Sequence, residues 1–219
     1  VLFRQKMLAF LFAYAALTMA VVWIAPSFGR VALNCFDNGP LQVQSLMYCA
    51  LNRHYVTPEL RDVLIDTAEE MDRQYPGTQT LVLDANFPFF IGFPLLPHLS
   101  HDDGEKADLA FFYRDEKGYL PGETRSPIGY FAFEPGPTDC TARWPTLRWD
   151  FEGLQTLWRD YALDEERTAA ILRILANDER VGKTLVEPHL VDALRVGHPR
   201  IRFQGCRAAR HDDHLHFQL

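Results

Sequence analysis

The sequence predicts an α+β fold: a small, mostly antiparallel sheet flanked by helices, preceded by an N-terminal transmembrane helix. Three observations predict it. Residues 57–74 and 164–177 repeat apolar side chains at helical spacing. Short β-like runs bounded by Gly, Pro, Asn and Asp lie between and after them. An apolar run near the N-terminus is long enough to cross a bilayer. The chain has 219 residues and 47% hydrophobic content, enough for one domain with a core and an appendage. A net charge of −7 and the lack of a basic stripe argue against a general nucleic-acid binder.

Met7 to Ala25 is apolar apart from Thr18. At helical rise this run spans about 30 Å, close to the hydrocarbon core of a membrane. Arg4 and Lys6 precede it and Pro26 ends it, which favours a cytoplasmic N-terminus and an exported body. The expectation is a membrane anchor over residues 1–30 and a functional domain over 31–219. A long cleaved signal peptide is the alternative. The four cysteines, at 35, 49, 140 and 206, fall on the exported side, where an even count suggests disulfides. Of three possible pairings, Cys35–Cys49 with Cys140–Cys206 is preferred, the second bracing the segment that feeds the C-terminal histidines. Free buried thiols are the alternative.

Asp37-Asn38-Gly39-Pro40 is a turn, and Leu41 to Leu51 reads equally as a short helix or a strand. Thr57 caps the first helix, with Pro58 at its first position and Glu59 in its first turn. Leu60, Val63, Leu64, Ala68 and Met71 form its apolar face. Gln79 to Leu83 is β-like. The stretch from Asp84 to Pro97 interleaves aromatics with Pro and Gly, and suits a loop over a cleft or a connector packed on the core. Asp115-Glu116-Lys117-Gly118 is a hairpin turn, and Ile128 to Phe133 is the next strand. The irregular run from Pro135 to Pro145 is expected to border a substrate groove. Phe151 to Ala162 and Asp164 to Asn177 read as helices, Val181 to Val186 as a strand, Pro188 to Arg195 as a helix and Ile201 to Phe203 as a strand. Glu187, before Pro188, reads as a turn or cap residue rather than a catalytic acid.

The chemistry lies in two pieces. The first, from Ser100, reads S-H-D-D-G-E-K-A-D and holds His101 and Asp108. The second, from His211, reads H-D-D-H-L-H-F-Q-L and holds His211, His214 and His216. Histidine and carboxylate together suit a borderline cation such as Zn²⁺, and a catalytic zinc keeps three protein ligands and one open position. If residues 214–218 form a strand, His214 and His216 share a face while Leu215 and Phe217 pack on the other. Asp108 opens an apolar run, Leu109 to Tyr113, that reads as a buried strand. Gly104 lets the chain turn between His101 and that strand. Two strands distant in sequence then bring His101, Asp108 and His216 to one point. His98 and the pair Asp102–Asp103 read as supporting or surface groups.

His101-x-x-Gly104-x-x-x-Asp108 with a later His214-x-His216 resembles the signature of the lysostaphin, D-Ala-D-Ala metallopeptidase and hedgehog group of zinc proteins. Within it the chain is most similar to penicillin-insensitive murein endopeptidases, whose terminal motif spaces three histidines as His211, His214 and His216 are spaced. The resemblance covers roughly residues 97–219. It implies that His101, Asp108 and His216 bind zinc and that His214 and His211 sit at the reaction centre. It implies hydrolysis of a peptidoglycan peptide in the periplasm, from the inner membrane or after secretion. The position occupied by His214 carries a glutamate in the related D,D-carboxypeptidases and dipeptidases, which favours the endopeptidase branch. A non-catalytic zinc module, a D,D-carboxypeptidase or dipeptidase, and a thiol enzyme using Cys206 and His211 are the rival readings. Asp212 or Asp213 is a candidate to fix an imidazole tautomer, His211 needs a bend to reach its partners, and Arg207 and Arg210 read equally as ligands for a substrate carboxylate or as solvent arginines on a loop.

Overall fold

The N-terminal apolar run folds as one uninterrupted helix, α1 (Leu2–Ile24), closed by a 3₁₀ turn at Ala25–Phe28. The computed structural model describes residues 2–93, 95–96, 98–138, 140, 148–149 and 151–219. After α1 come strands β1 (Val31–Ala32) and β2 (Leu41–Val43), helix α2 (Leu46–Ala50), β3 (Tyr55–Val56), α3 (Pro58–Gln74) and β4 (Thr80–Val82). Then follow β5 (Lys106–Ala110), β6 (Tyr113–Asp115), β7 (Gly118–Tyr119), α4 (Glu152–Gln155), β8 (Ala162–Leu163), α5 (Glu165–Asn177), β9 (Lys183–Leu185), α6 (Pro188–Leu194), β10 (Ile201–Arg202) and β11 (His214–Gln218).

The architecture is α+β. Its main sheet has six strands in the order β10-β9-β11-β5-β4-β2. The three central pairings are antiparallel and the two edge pairings parallel. Helices α3 and α5 cover one face. Leu60, Val63, Leu64 and Met71 of α3 and Ile171, Leu172 and Leu175 of α5 pack with Val82, Leu109, Leu215 and Phe217 from the sheet. The helices start as the sequence dictates: Thr57 Oγ1 accepts from Leu60 N–H, and the Asp164 carboxylate accepts from Arg167 N–H. Strand alternation puts the odd residues of β11 into this core, so His214 and His216 face the other side of the sheet.

The ambiguous run after Pro40 resolves as both readings, strand β2 and then helix α2. Residues 115–118 make the hairpin turn between β6 and β7, with Asp115 opposite Gly118. Three expectations need correction. Asp108 sits in the middle of β5 rather than at the start of a strand, because Phe217 and Gln218 of β11 continue the pairing back to Ala107 and Lys106. Ile128 to Phe133 is not a strand: Gly129 and Phe131 take positive φ values of 78° and 64°, which no strand tolerates. Phe151 to Ala162 yields only the four-residue α4, and its Ala162 end joins β6 through β8 instead. Most of the irregular run beyond Thr138 lies outside the described residues.

Both expected disulfides form, Cys35–Cys49 and Cys140–Cys206. The second closes 66 residues of sequence and anchors the chain five residues before His211. In the chain-entropy account a loop of this length stabilises by about 4 kcal/mol. A Cys140→Ser/Cys206→Ser double variant is therefore expected to lose stability on that scale in chemical denaturation. The shorter 14-residue bridge at Cys35–Cys49 should cost less when removed.

Candidate metal centre

Pairing of β5 with β11 builds the centre. The register sets His216 opposite Asp108 and His214 opposite Ala110. Directly opposite side chains on one face start about 5 Å apart at Cβ, so an imidazole and a carboxylate meet there. His216 Nδ1 lies 2.8 Å from Asp108 Oδ1. His101 arrives from the loop before β5. Gly104 turns that loop at φ +91°, and an added Cβ would fall 2.3 Å from the Arg30 guanidinium carbon, so only glycine fits. His101 Nε2 then lies 3.2 Å from Asp108 Oδ1 and 3.1 Å from His216 Nδ1.

Donor atoms held about 2.0–2.1 Å from a tetrahedral zinc stand about 3.3 Å apart. The observed triangle, with sides of 2.8, 3.1 and 3.2 Å, is that size with slight contraction. Its chemistry also fits a cation. His101 Nδ1 donates to the Ala85 carbonyl over 2.8 Å, so Nε2 is the nitrogen turned toward the triangle; burial opposes charge on this ring, and Asp108 and Asp84 outweigh it and raise its pKa. Asp108 Oδ1 is an acceptor. A cation at the centre of the triangle would be within reach of all three corners.

The other carboxylate oxygen is held from behind. Tyr130 Oη donates to Asp108 Oδ2 over 2.7 Å, and His98 Nδ1 lies 3.2 Å from the same oxygen. His98 Nδ1 also lies 2.9 Å from Asp84 Oδ2, and Arg53 clamps Asp84 with two hydrogen bonds. His98, His101 and Asp108 are also close enough to share an ion. His98 also bridges Asp84 and Asp108, so the site offers an ion two overlapping donor sets, His98–His101–Asp108 and His101–Asp108–His216. The other donor-rich group, Cys35, Cys49 and His54, has both sulfurs in a disulfide.

His214 shares the face of His216 without entering the triangle. Its Nδ1 lies 2.5 Å from Asp213 Oδ1, and its Nε2 lies 3.7 Å from Asp108 Oδ2. Asp213 is itself fixed, accepting from Phe131 N–H over 2.6 Å through its other oxygen. Bends at Asp212 and Asp213 precede β11 and carry His211 round, its ring centroid 5.1 Å from that of His214 and 5.7 Å from that of His216. A cleft of about 220 Å³ lies over the cluster, lined by His98, His101, Asp108, His211, His214 and His216 among others.

Burial is the largest single influence on Asp108, His211, His214 and His216, but neighbouring charges decide the direction at two of them. It opposes ionisation of Asp108, but the neighbouring imidazoles of His101, His214 and His98 outweigh it and hold the carboxyl well below its usual range. Burial also pulls His214 down, and the charges of Asp213 and Asp108 reverse the effect, raising it to about 9. His216 is left lowered to about 4 by burial, against its bond to Asp108. Burial and the charges of His214 and His216 push His211 well below the ordinary histidine value.

All five residues singled out in the sequence meet at this centre, and Asp213 is the carboxylate that orients His214. Arg210 is not free for a substrate carboxylate: it binds Asp212 through Nε at 2.9 Å and Nη2 at 2.6 Å and stacks over Phe133. Arg207 is exposed. Glu187 is buried in a two-point pair with Arg148, at 3.0 and 2.8 Å, and accepts from His211 N–H at 3.3 Å, so it holds the backbone of the histidine motif. Sequence reading missed Asp84 and Tyr130 and undervalued His98. Tyr130 carried no signal, since it lies in a loop whose path only the folded chain reveals.

Residues that hold a ligand from behind typically change metal affinity 10–100-fold. Tyr130→Phe removes only the hydroxyl on Asp108 Oδ2, so a Zn²⁺ titration of that variant is expected to show weakening on that scale with the fold intact. Comparison with known protein families finds no matching family model, and comparison with curated proteins finds no match.

Proposed function

We propose that the chain is a zinc-dependent hydrolase cutting an amide bond in peptidoglycan peptides, with murein endopeptidase-like chemistry. The observation that carries the reading is the convergence of His101 Nε2, Asp108 Oδ1 and His216 Nδ1 beneath a cleft, with an oriented His214 beside them. A bound Zn²⁺ would supply a water of near-neutral pKa and polarise the scissile carbonyl.

The remaining roles belong to the protein. His101, Asp108 and His216 hold the ion. Ala85 and Tyr130 fix the first two in place. Asp213 holds His214 through Nδ1, and the ring, raised to about 9, carries a proton that can stabilise the developing oxyanion or pass to the leaving amine. His211, beside it, is the second group for proton handling. No carboxylate base stands two residues before His216, which favours the endopeptidase branch over the dipeptidase branch. Two disulfides suit an oxidising compartment such as the periplasm.

A triangle that grips the metal and a histidine that does not should separate on mutation. His216→Ala and Asp108→Ala are expected to lose bound zinc and activity together. His214→Ala should keep zinc while hydrolysis of purified sacculi falls about 10²–10⁴-fold. Metal analysis beside product identification checks both, and full activity in metal-free His216→Ala protein would end the proposal. Retained zinc with no hydrolysis of any wall peptide by the unmutated chain would favour a non-catalytic zinc module.

A further inference from the structure

Two stretches of the exported body carry no Asp, Glu, Lys or Arg: Leu41 to Asn52, and Phe87 to Ser100. Both expose large apolar side chains. Leu46, Met47 and Leu51 are exposed on and after α2, and Phe90, Ile91 and Leu96 on the loop, with Ile91 81% and Leu96 73% accessible. Scattered apolar residues are ordinary on a protein surface, but a contiguous uncharged set points to a partner. The two stretches are joined, since Arg53 Nη1, just after the first, donates to the Leu96 carbonyl over 2.8 Å.

Helix α1 identifies the partner. Phe28, in the turn that closes α1, packs against Phe89 and Phe90 with ring centroids 5.0 and 5.7 Å away. Further up the helix, Tyr14 Oη donates to the Ala50 carbonyl over 2.6 Å, and Asn52 Nδ2 lies 3.5 Å from Thr18 Oγ1. From Tyr14 to Phe28 is about 21 Å along a helix. With α1 in a bilayer, Tyr14 lies near the middle of the span and Phe28 at its outer end, so α2 stands beside the outer half of the helix with its exposed face toward lipid, and the loop at Phe89 and Phe90 lies at the outer boundary.

We propose that α2 and the described loop residues between Phe87 and Leu99 form a membrane-seated face, the loop in the interfacial layer of the bilayer that holds α1 and α2 deeper beside the helix. Aromatic and aliphatic side chains with a cation at the rim, here Arg53, are a composition that partitions there. An apolar cleft of about 190 Å³, lined by Met47, Leu51, Leu96, Ile128 and Phe131 among others, runs inward from this face to His98 and Tyr130. The seated face thus puts one mouth of the catalytic region at the lipid surface. The inference rests on α1 as an anchor and is independent of zinc chemistry.

The test uses the full chain reconstituted in phosphatidylcholine/phosphatidylglycerol vesicles. An environment-sensitive fluorophore is placed singly through Ile91→Cys, Leu11→Cys or Leu157→Cys; Leu157 is 69% exposed on a surface outside both stretches. The Ile91 probe is expected to shift to the blue and to lose most of its emission to lipids spin-labelled near the headgroup. The Leu157 probe should answer only to aqueous iodide. A Leu11 probe quenched by lipid with an Ile91 probe quenched like that at Leu157 would overturn the seated face. A Leu11 probe in water would overturn the anchoring beneath it, and with it the proposal. Neither result would bear on zinc binding.

Discussion

The structure depends on one cross-strand pair. Asp108 and His216 lie opposite each other in β5 and β11, separated by 108 residues of chain. Their meeting fixes the register of the two central strands, and the register is enforced by what lies on the other face. Leu109, Leu215 and Phe217 are fully buried against α3 and α5. A slip of one residue would turn those side chains out and the acid and imidazole into the core. Helix packing on one side of the sheet therefore specifies ligand geometry on the other.

Around that pair, polar groups are arranged in successive layers. Asp108 shares its two oxygens between opposite tasks: Oδ1 faces the two imidazoles, and Oδ2 is held by Tyr130 and His98. The chain from Arg53 through Asp84 and His98 to Asp108 crosses from α2 to the centre. A second chain, from Arg148 through Glu187 to the His211 backbone, supports the other end. Burying so many ionisable groups is costly unless each finds a partner. His101 Nε2, Asp108 Oδ1 and His216 Nδ1 converge within 3.2 Å of one another, an arrangement that a cation can occupy.

Much of this was legible in the sequence, for identifiable reasons. The two long helices announced themselves through caps and apolar spacing, and β11 through strict alternation of His, Leu, His and Phe. The histidine and aspartate pieces were readable because ligand chemistry and spacing coincide in so few residues. What stayed hidden was set by tertiary context. Ile128 to Phe133 has strand composition, yet its backbone bends through two positive φ values to bring Tyr130 to Asp108 and the Phe131 N–H to Asp213. Asp84 read as the start of a loop or connector, and its role appears only when Arg53 and His98 close on it. Arg210 read as a free cation until Asp212, two residues away, was seen to occupy it.

The central claim is that three side chains from two distant segments grip one ion. Anomalous diffraction at the zinc absorption edge, on crystals of the zinc-loaded protein, addresses it most directly. The account requires a single strong peak about 2.0–2.2 Å from His101 Nε2, Asp108 Oδ1 and His216 Nδ1, with His214 outside bonding distance. A peak held by His98 and Asp84 instead, or no peak between β5 and β11, would contradict it.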